Sequence, residues 1–335
     1  MSKYGGCIGL LIILLLSRGV VSAAQTPAQP ANVTIAYTSI SPQYAPVWIA
    51  KEAGFFKNNG INAQLVYMRG GILATQALVS NDVNFISAGG GGVVDADAVL
   101  GGAEIFIVAS PINQEPQVLV AKKEIKEIAQ LKGKRLAVNS LAGPSMLSLK
   151  MILAASGLDP DRDVSYLATG PSASRYGALQ LGQVDATTLT PPFTSAARKA
   201  GYTFFENIPG MKEAELPNAA LITSRKFFEA EPLAAEMVIK SVIEGIHFYK
   251  TEKIKTPAIL KKYMKLENAD ELQETYNFYV KMLAEKPYPT AKGIQTILDW
   301  SKRPDARKAN PAQFIQTKVV EKLDKQGFID ALYRR

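Results

Sequence analysis

The alternation of short apolar runs with helical segments restricts the fold of this chain more than any other feature. A strand-like run at residues 33–37 leads through a loop into a segment with helical spacing at 44–53. The same order then returns, with a strand at 61–68 and a helix that starts at Gly70 and Gly71. This alternation predicts an α/β fold in which helices cover both faces of a mostly parallel sheet.

The same order of elements continues further along the chain. Strands are predicted at 83–87 and 105–109, and a new unit begins with a strand at 135–139 and a helix from Ser145. Beyond Pro217 the chain becomes mostly helical, and we expect these helices to pack against the first strands.

A weak internal repeat relates two parts of the chain. Residues 77–84 contain Ala-Leu, four further residues and then Val-Asn, and residues 178–185, which lie 101 positions later, repeat the spacing with Val-Asp. Chance similarity is an alternative, because alanine and leucine are common. The shared order of loop, helix and strand predicts two α/β lobes built on one plan. A length of 335 residues agrees with two lobes, since one domain typically has about 150.

The amino terminus has the three-part pattern of a secretory signal peptide. Lys3 precedes an apolar run at residues 8–16, and small residues follow at 21–24. We therefore expect residues 1–24 to be removed and the mature protein to lie in the periplasm. The only cysteine, Cys7, precedes the apolar run and would leave with it. The mature chain is then expected to have no disulfide, no catalytic thiol and no lipid-anchoring cysteine.

Charge gives little support for a nucleic-acid partner. Loss of Lys3 and Arg18 takes the formal net charge from +8 to +6. The basic stretches at 122–134 and 250–265 also contain glutamates, which is typical of solvated helix faces.

Catalytic chemistry has few candidate residues. The only histidine, His247, lies in a helical run, where packing is the simpler interpretation. With no second histidine or cysteine to join it, we expect no metal site and no cofactor. Residues 89–92 are four glycines without a dinucleotide or P-loop fingerprint. Asp95 and Asp97 would be the only candidate catalytic acids of a secreted enzyme. Because they are two residues apart on a helix, their side chains face different directions.

Six loops share a composition rich in Gly, Ser, Thr and Pro at the places where strands lead into helices. Ligands of open α/β sheets bind at such places, and helix-start amides favour anions. Ordinary turn chemistry is the alternative. Tyr44 is the preferred stacking residue for an organic solute, and Arg69 and Arg175 are either partners for a carboxylate or sulfonate or plain surface arginines. The loops are residues 39–44, 70–71, 89–92, 140–145, 172–174 and 190–193.

Residues 35–61 carry a specific family resemblance. With Ala-Pro-Val-Trp-Ile-Ala at 45–50 and Glu-Ala-Gly-Phe-Phe at 52–56, this stretch closely resembles the sulfonate, nitrate, taurine and thiamine-precursor branch of ABC-transporter solute-binding proteins. Arg-Gly-Gly at 69–71 and Leu-Lys-Gly-Lys at 131–134 follow in the family's order. The resemblance covers nearly the whole mature chain.

The resemblance implies a bilobal periplasmic-binding-protein fold of type II, with two doubly wound mixed sheets joined by a two-segment hinge. Lobe I would span 32–118 plus 219–335, and lobe II would span 119–218. The implied function is that of the periplasmic solute-binding component of an ABC importer. It would bind a small anionic or polar organic solute, such as a sulfonate, nitrate, carboxylate or pyrimidine-like molecule.

Such a protein would act as a monomer and deliver its solute to an inner-membrane permease. A module that presents a ligand to a sensor kinase or chemoreceptor is an open alternative, and a secreted enzyme is a weaker one. The histidine and cysteine-rich motif of the related thiamine-precursor synthases is absent from the sequence. The positions expected to bind the solute are Ser39, Tyr44, Arg69, Gly71, Gly89, Gly90, Gly91, Ser140, Gly143, Ser145, Ser172, Ser174, Arg175 and Thr190.

Overall fold

Two five-stranded sheets form the centre of the protein in a computed structural model. The structure describes residues 29–94, 104–141, 144–206, 215–301 and 306–334, so the predicted signal segment lies outside it. Within these ranges, no helix is both long enough and apolar enough to cross a membrane. The strands are β1 (Ala31–Tyr37), β2 (Ile61–Tyr67), β3 (Phe85–Ala88), β4 (Ile105–Ile112), β5 (Val118–Ala121), β6 (Arg135–Val138), β7 (Ser165–Ala168), β8 (Ala186–Leu189), β9 (Thr203–Phe205) and β10 (Ala219–Ser224).

Helices connect these strands and follow the last one. Single turns of 3-10 helix occur as well, and the one at Pro42–Tyr44 leads directly into the first α-helix. The α-helices that lie wholly within the described ranges are α1 (Ala45–Glu52), α2 (Phe55–Asn58), α3 (Gly71–Val79), α4 (Pro144–Ala155), α5 (Ser172–Gln180), α6 (Phe193–Lys199), α7 (Arg225–Ala230), α8 (Pro232–Thr251), α9 (Lys255–Met264), α10 (Ala269–Met282), α11 (Ala291–Asp299), α12 (Lys318–Lys325) and α13 (Phe328–Tyr333).

Both sheets have the same arrangement of parallel and antiparallel strands. The first has the order β2-β1-β3-β10-β4, with β1 parallel to β2 and β3, and with β10 antiparallel to β3 and β4. The second has the order β7-β6-β8-β5-β9, with β6 parallel to β7 and β8, and with β5 antiparallel to β8 and β9. The predicted α/β fold with two mixed sheets is confirmed.

The internal repeat occupies the same place in each sheet. Residues 77–84 run from α3 to the start of β3, and residues 178–185 run from α5 to the start of β8. In the first sheet β3 pairs with the antiparallel strand β10, and in the second sheet β8 pairs with the antiparallel strand β5. The expectation of helices after Pro217 missed β10, whose six residues are all buried within the first sheet. A strand buried on both faces has no alternation of apolar and polar residues to reveal it.

Helix α8 packs against the first sheet, as expected for the helices beyond Pro217. Ala235, Val238, Ile239 and Val242 recur at helical spacing and are buried with the apolar side chains of β1. Each fully buried valine or isoleucine contributes about 1.5–3 kcal/mol relative to an exposed one. The same helix contacts α1, whose Val47 and Ala50 belong to the same buried cluster, so the two helices pack side by side.

The chain crosses between the sheets twice, and the two crossing segments lie side by side. One joins β4 to β5, and the other ends at β10. The amide of Leu216 donates to the carbonyl of Asn113 (2.9 Å), and the amide of Asn218 donates to that of Ile112 (2.9 Å). These bonds hold the two segments together between the sheets.

Candidate functional site

A cavity of about 240 Å³ lies between the two sheets, at the ends of strands from both. This volume suits a small solute, because cavities for drug-sized ligands hold about 300–1,000 Å³. The first sheet contributes the loop after β1, and the second contributes the loops that precede α4, α5 and α6. The wall consists of Ser39, Ile40, Ser41, Pro42, Gln43, Tyr44, Gln117, Asn139, Ser145, Pro171, Ser172, Ala173, Arg175, Thr190, Pro191, Phe193, Asn218 and Met264.

The structure brings six of the predicted site residues together on this wall. The remaining described ones lie outside it, and Gly143 belongs to a segment that the structure does not describe. The six on the wall are Ser39, Tyr44, Ser145, Ser172, Arg175 and Thr190. The others are Arg69, Gly71, Gly89, Gly90, Gly91, Ser140 and Ser174.

Two of the outlying residues have other contacts that account for their positions. The guanidinium of Arg69 donates to the carbonyl of Thr169 at 3.0 Å, across the gap between the sheets. The amide of Gly90 donates to the carbonyl of Pro217 at 2.8 Å. A Cβ on Gly90 would come within 2.6 Å of the Pro217 ring, so only glycine allows this segment to lie against the second crossing segment.

Arg175 supplies the positive charge of the cavity and is held by several hydrogen bonds. Its side chain is 4 % exposed. Nε donates to the carbonyl of Thr188 (3.1 Å) and Nη1 to that of Gly170 (3.2 Å). Nη2 donates to Gln117 Oε1 (3.0 Å) and to Ser172 Oγ (3.0 Å). These bonds engage four of the five guanidinium N–H groups, so Arg175 presents a fixed charge and not a free two-pronged fork.

That charge persists at neutral pH. Burial lowers the pKa of Arg175 to about 10, and the nearby carboxyl of Glu115 opposes this fall. The guanidinium is therefore cationic throughout the physiological range. Among the wall residues in the described ranges, Arg175 alone has a charged side chain at pH 7.

Two helix N-termini add polarity of the same sign. Helix α5 begins at the wall residue Ser172, and its N-cap residue, Pro171, provides no side-chain cap. The first-turn amides of α5 have no acceptor within the helix. Helix α4 begins beside the wall residue Ser145, whose hydroxyl accepts a hydrogen bond from the amide of Asn139 (2.9 Å). The positive ends of two helix dipoles thus lie at the same cavity as Arg175.

Several wall residues were not predicted from the sequence. Gln117 and Asn218 lie on the two crossing segments, and Met264 comes from the end of α9, far along the chain. The crossing segments were expected at these places, but neither residue had a local pattern that marks a ligand contact. The amide oxygen of Asn218, a fully buried residue, has no hydrogen-bond partner among the described residues.

Glu115 lies behind the wall, on the first crossing segment. Its carboxylate accepts hydrogen bonds from the amide of Gln117 (2.8 Å), from Asn218 Nδ2 (3.1 Å) and from the hydroxyl of Ser148 on α4. Desolvation of the carboxyl group raises the pKa of Glu115 to about 8, although hydrogen bonds from Gln117 and the charge of Arg175 act in the opposite direction. Desolvation of the carboxylate is therefore the dominant effect.

Several hydrogen bonds near the cavity join helices and loops of the two halves of the fold. Besides the Arg69 contact described above, the hydroxyl of Ser195 on α6 donates to the carboxylate of Glu274 on α10. The hydroxyl of Tyr279 on α10 hydrogen-bonds to Ser41 (3.4 Å) and to Thr190. The cavity is thus enclosed by residues from both halves of the fold.

Other chemistry has little basis in the described ranges. No group of three or more His, Cys, Asp or Glu side chains is placed there to hold a metal ion. His247 lies on α8, and its ring contacts that of Tyr333 edge-on at 4.9 Å. Asp95 and Asp97, the acids considered for an enzyme, lie outside the described residues.

The known proteins that this chain resembles include several that are named as binding proteins. The model of the NMT1-like family matches residues 26–261. Putative binding protein YtlA of Bacillus subtilis (strain 168) is 21 % identical over 304 residues, which cover 88 % of this chain and 90 % of YtlA. The taurine-binding periplasmic protein of Escherichia coli (strain K12) is 28 % identical over 219 residues, which cover 65 % of this chain and 66 % of that protein.

A solved structure shows the same fold. The alkanesulfonate-binding protein SsuA from Xanthomonas axonopodis pv. citri, bound to MOPS, superposes with a TM-score of 0.68 at 19 % identity. The match covers 87 % of this chain and 99 % of SsuA.

Proposed function

The chain belongs to the NMT1-like family, and on that basis we propose that it is the periplasmic solute-binding component of an ABC importer. It binds a small anion between two lobes and delivers it to a membrane permease. The lobes are residues 32–118 plus 219–335 and residues 119–218. The protein acts as a monomer that binds and does not transform its solute. The names of the relatives support this role, since they are binding proteins.

One observation above all supports an anionic solute: among the described residues of the cavity wall, Arg175 has the single charged side chain, and it is buried. A buried cation is costly unless it is paired. Hydrogen bonds to Gln117, to Ser172 and to two carbonyl groups engage four of its five N–H groups but do not neutralise its charge. A bound monoanion supplies that missing charge, and the starts of α4 and α5 provide donors for its oxygens.

Closure of the two lobes is the second part of the proposal. The Arg69, Ser195 and Tyr279 contacts each join an element of the first sheet to one of the second. An anion between the lobes contacts both walls, so it favours the conformation in which these contacts form. The closed form is then the species that the permease recognises.

Substitution of Arg175 tests the proposal. We expect the wild type to bind at least one member of a panel of taurine, ethanesulfonate, nitrate, benzoate and uracil in titration calorimetry and native mass spectrometry. Arg175→Met should weaken the binding of an anion at least about tenfold, the lower range for a charge-assisted contact. Arg175→Lys retains the positive charge but loses the planar guanidinium that several hydrogen bonds hold in place. Its affinity for the anion should therefore lie between those of the wild type and Arg175→Met.

The control is Arg162→Met on the same half of the chain. The Arg162 side chain is 86 % exposed, and the residue is absent from the cavity wall. We expect this variant to bind like the wild type. Unchanged anion binding by a folded Arg175→Met protein would refute the proposed site. Binding of uracil alone would refute the anionic solute but not the binding role.

A further inference from the structure

Glu115 is a half-buried residue whose carboxyl group lies at the junction of the two crossing segments, and it does not line the cavity. Its hydrogen-bond partners come from three separate parts of the chain. They are the Gln117 amide on the same segment, the Asn218 side chain on the other segment, and Ser148 in the first turns of α4. One carboxylate therefore connects both crossing segments to a helix whose start faces the solute.

Two of these partners are themselves wall residues. Asn218 Nδ2 donates a hydrogen bond to Glu115. The amide oxygen of the same side chain has no partner among the described residues. The backbone of Gln117 donates to Glu115, while its side-chain oxygen accepts from Arg175 Nη2 (3.0 Å) and from Thr188 Oγ1 (2.7 Å). Glu115 thus holds the side chain of Asn218 and the backbone of Gln117, and the side chain of Gln117 contacts Arg175.

We propose that Glu115 is a positioning residue for the anion site, which holds Gln117 and Asn218 in place and adjusts the positive charge that Arg175 presents to the solute. The proposal rests on the proposed binding of an anion at Arg175. An ionised Glu115 partly cancels the guanidinium charge and repels an anion, whereas a protonated one does neither. Binding of an anion is therefore coupled to the proton on Glu115, and each favours the other.

The groups around Glu115 titrate at higher pH than Glu115 does, so its own titration can be measured separately. The charged and titratable groups that act on Glu115 are Arg175 on α5 and, more weakly, Tyr279 on α10. The pKa of Tyr279 is raised to about 12 and that of Arg175 is lowered to about 10, so up to pH 9 Tyr279 stays neutral and Arg175 keeps about nine-tenths of its charge. Glu115, with a pKa of about 8, does change its charge within that interval.

The test is the affinity for ethanesulfonate and nitrate at pH 6 and pH 9, measured by titration calorimetry. These anions do not titrate in that range. If anion binding raises the pKa of Glu115 from about 8 to about 9, affinity at pH 9 is about fivefold weaker than at pH 6. In Glu115→Gln the loss should disappear, with affinity at pH 9 at or above the wild-type value. Glu236→Gln, which alters an ion pair with Lys322 on α8 and α12, should keep the wild-type slope.

Equal slopes in wild type and Glu115→Gln, or an affinity that rises with pH, would overturn the proposal. A second measurement needs no solute, namely the stability of both proteins between pH 5 and pH 9. A folded-state pKa raised above the unfolded one contributes stability that is complete below about 4.5 and is lost as pH rises through about 8. The wild type should lose stability on this account and Glu115→Gln should not.

The two measurements separate the two proposals. If no anion of the panel binds to the wild type, the anionic solute is refuted, while the stability profile still shows whether Glu115 keeps its proton in the folded protein. A flat difference between the two stability profiles would overturn the role of Glu115 whatever the solute.

Discussion

Gly245 in the middle of α8 provides a sharp test of the packing beneath the site. Replacement of an exposed helical glycine by alanine stabilises a helix by about 1 kcal/mol. At Gly245, however, a Cβ would lie 2.3 Å from the carbonyl oxygen of Pro46 and 3.3 Å from its Cα. These are backbone atoms of α1, so the clash is relieved only if α8 and α1 move apart.

The magnitude follows from two opposing effects. Overpacking of this kind costs about 1–3 kcal/mol, and the helix-propensity gain offsets about 1 kcal/mol of that. We expect Gly245→Ala to destabilise the protein by up to about 2 kcal/mol. For a domain of roughly 150–250 residues each kcal/mol lowers the Tm by about 2–4 °C. Thermal unfolding followed by circular dichroism measures this change.

Gly177 in α5 is the matched control. It is also a helical glycine, but a Cβ there would have no heavy atom within 4 Å. Gly177→Ala should therefore raise the stability by about 0.4–1 kcal/mol. The two substitutions are chemically identical and have opposite predicted signs. A Gly245→Ala protein at least as stable as the wild type would refute the close approach of α8 to α1.

Two further predictions concern the contact between the lobes and an ion-paired cluster near the carboxyl terminus. Gly170 has φ of 100°, and a Cβ there would lie 2.4 Å from Arg69 Nη2. Gly170→Ala should therefore lower the stability by about 1–3 kcal/mol, and Arg69→Ala should lower it by less than about 1 kcal/mol. Equal losses of Tm in the two variants would contradict this account. Lys286 and Tyr288 hold the pKa of Asp324 below its usual range, and a depressed carboxyl pKa gives stability that is present at pH 7 and lost as pH falls. Asp324→Asn should therefore be less stable than the wild type in urea at pH 7, with a smaller difference at pH 3, whereas a constant difference would contradict the ion pairing.

Local patterns were sufficient for much of the fold. The strand at 33–37, the helix over 44–53 and the strand at 61–68 agree closely with β1, α1 and β2, because each has a clear apolar period and a turn at its end. The repeat likewise placed α3 and α5 at equivalent positions in the two sheets. Strand β10 was missed, because a fully buried strand has no polar face and its partners lie more than 100 residues away in sequence.

The sequence by itself determined the class of fold, a set of six candidate loops of which four supply the cavity, and the presence of an arginine beside two of the six. Composition and short-range periodicity carry that information. Only the tertiary structure decided between the two arginines, which have the same local context but different surroundings. Arg175 is buried on the wall, and Arg69 reaches across to Thr169.

Tertiary structure alone also brought Glu115 and Asn218 together, 103 residues apart along the chain. The distance between two side chains and the water excluded from around them depend on how distant segments pack. A carboxyl group therefore acquires its pKa, and an arginine its role, only once the chain has folded.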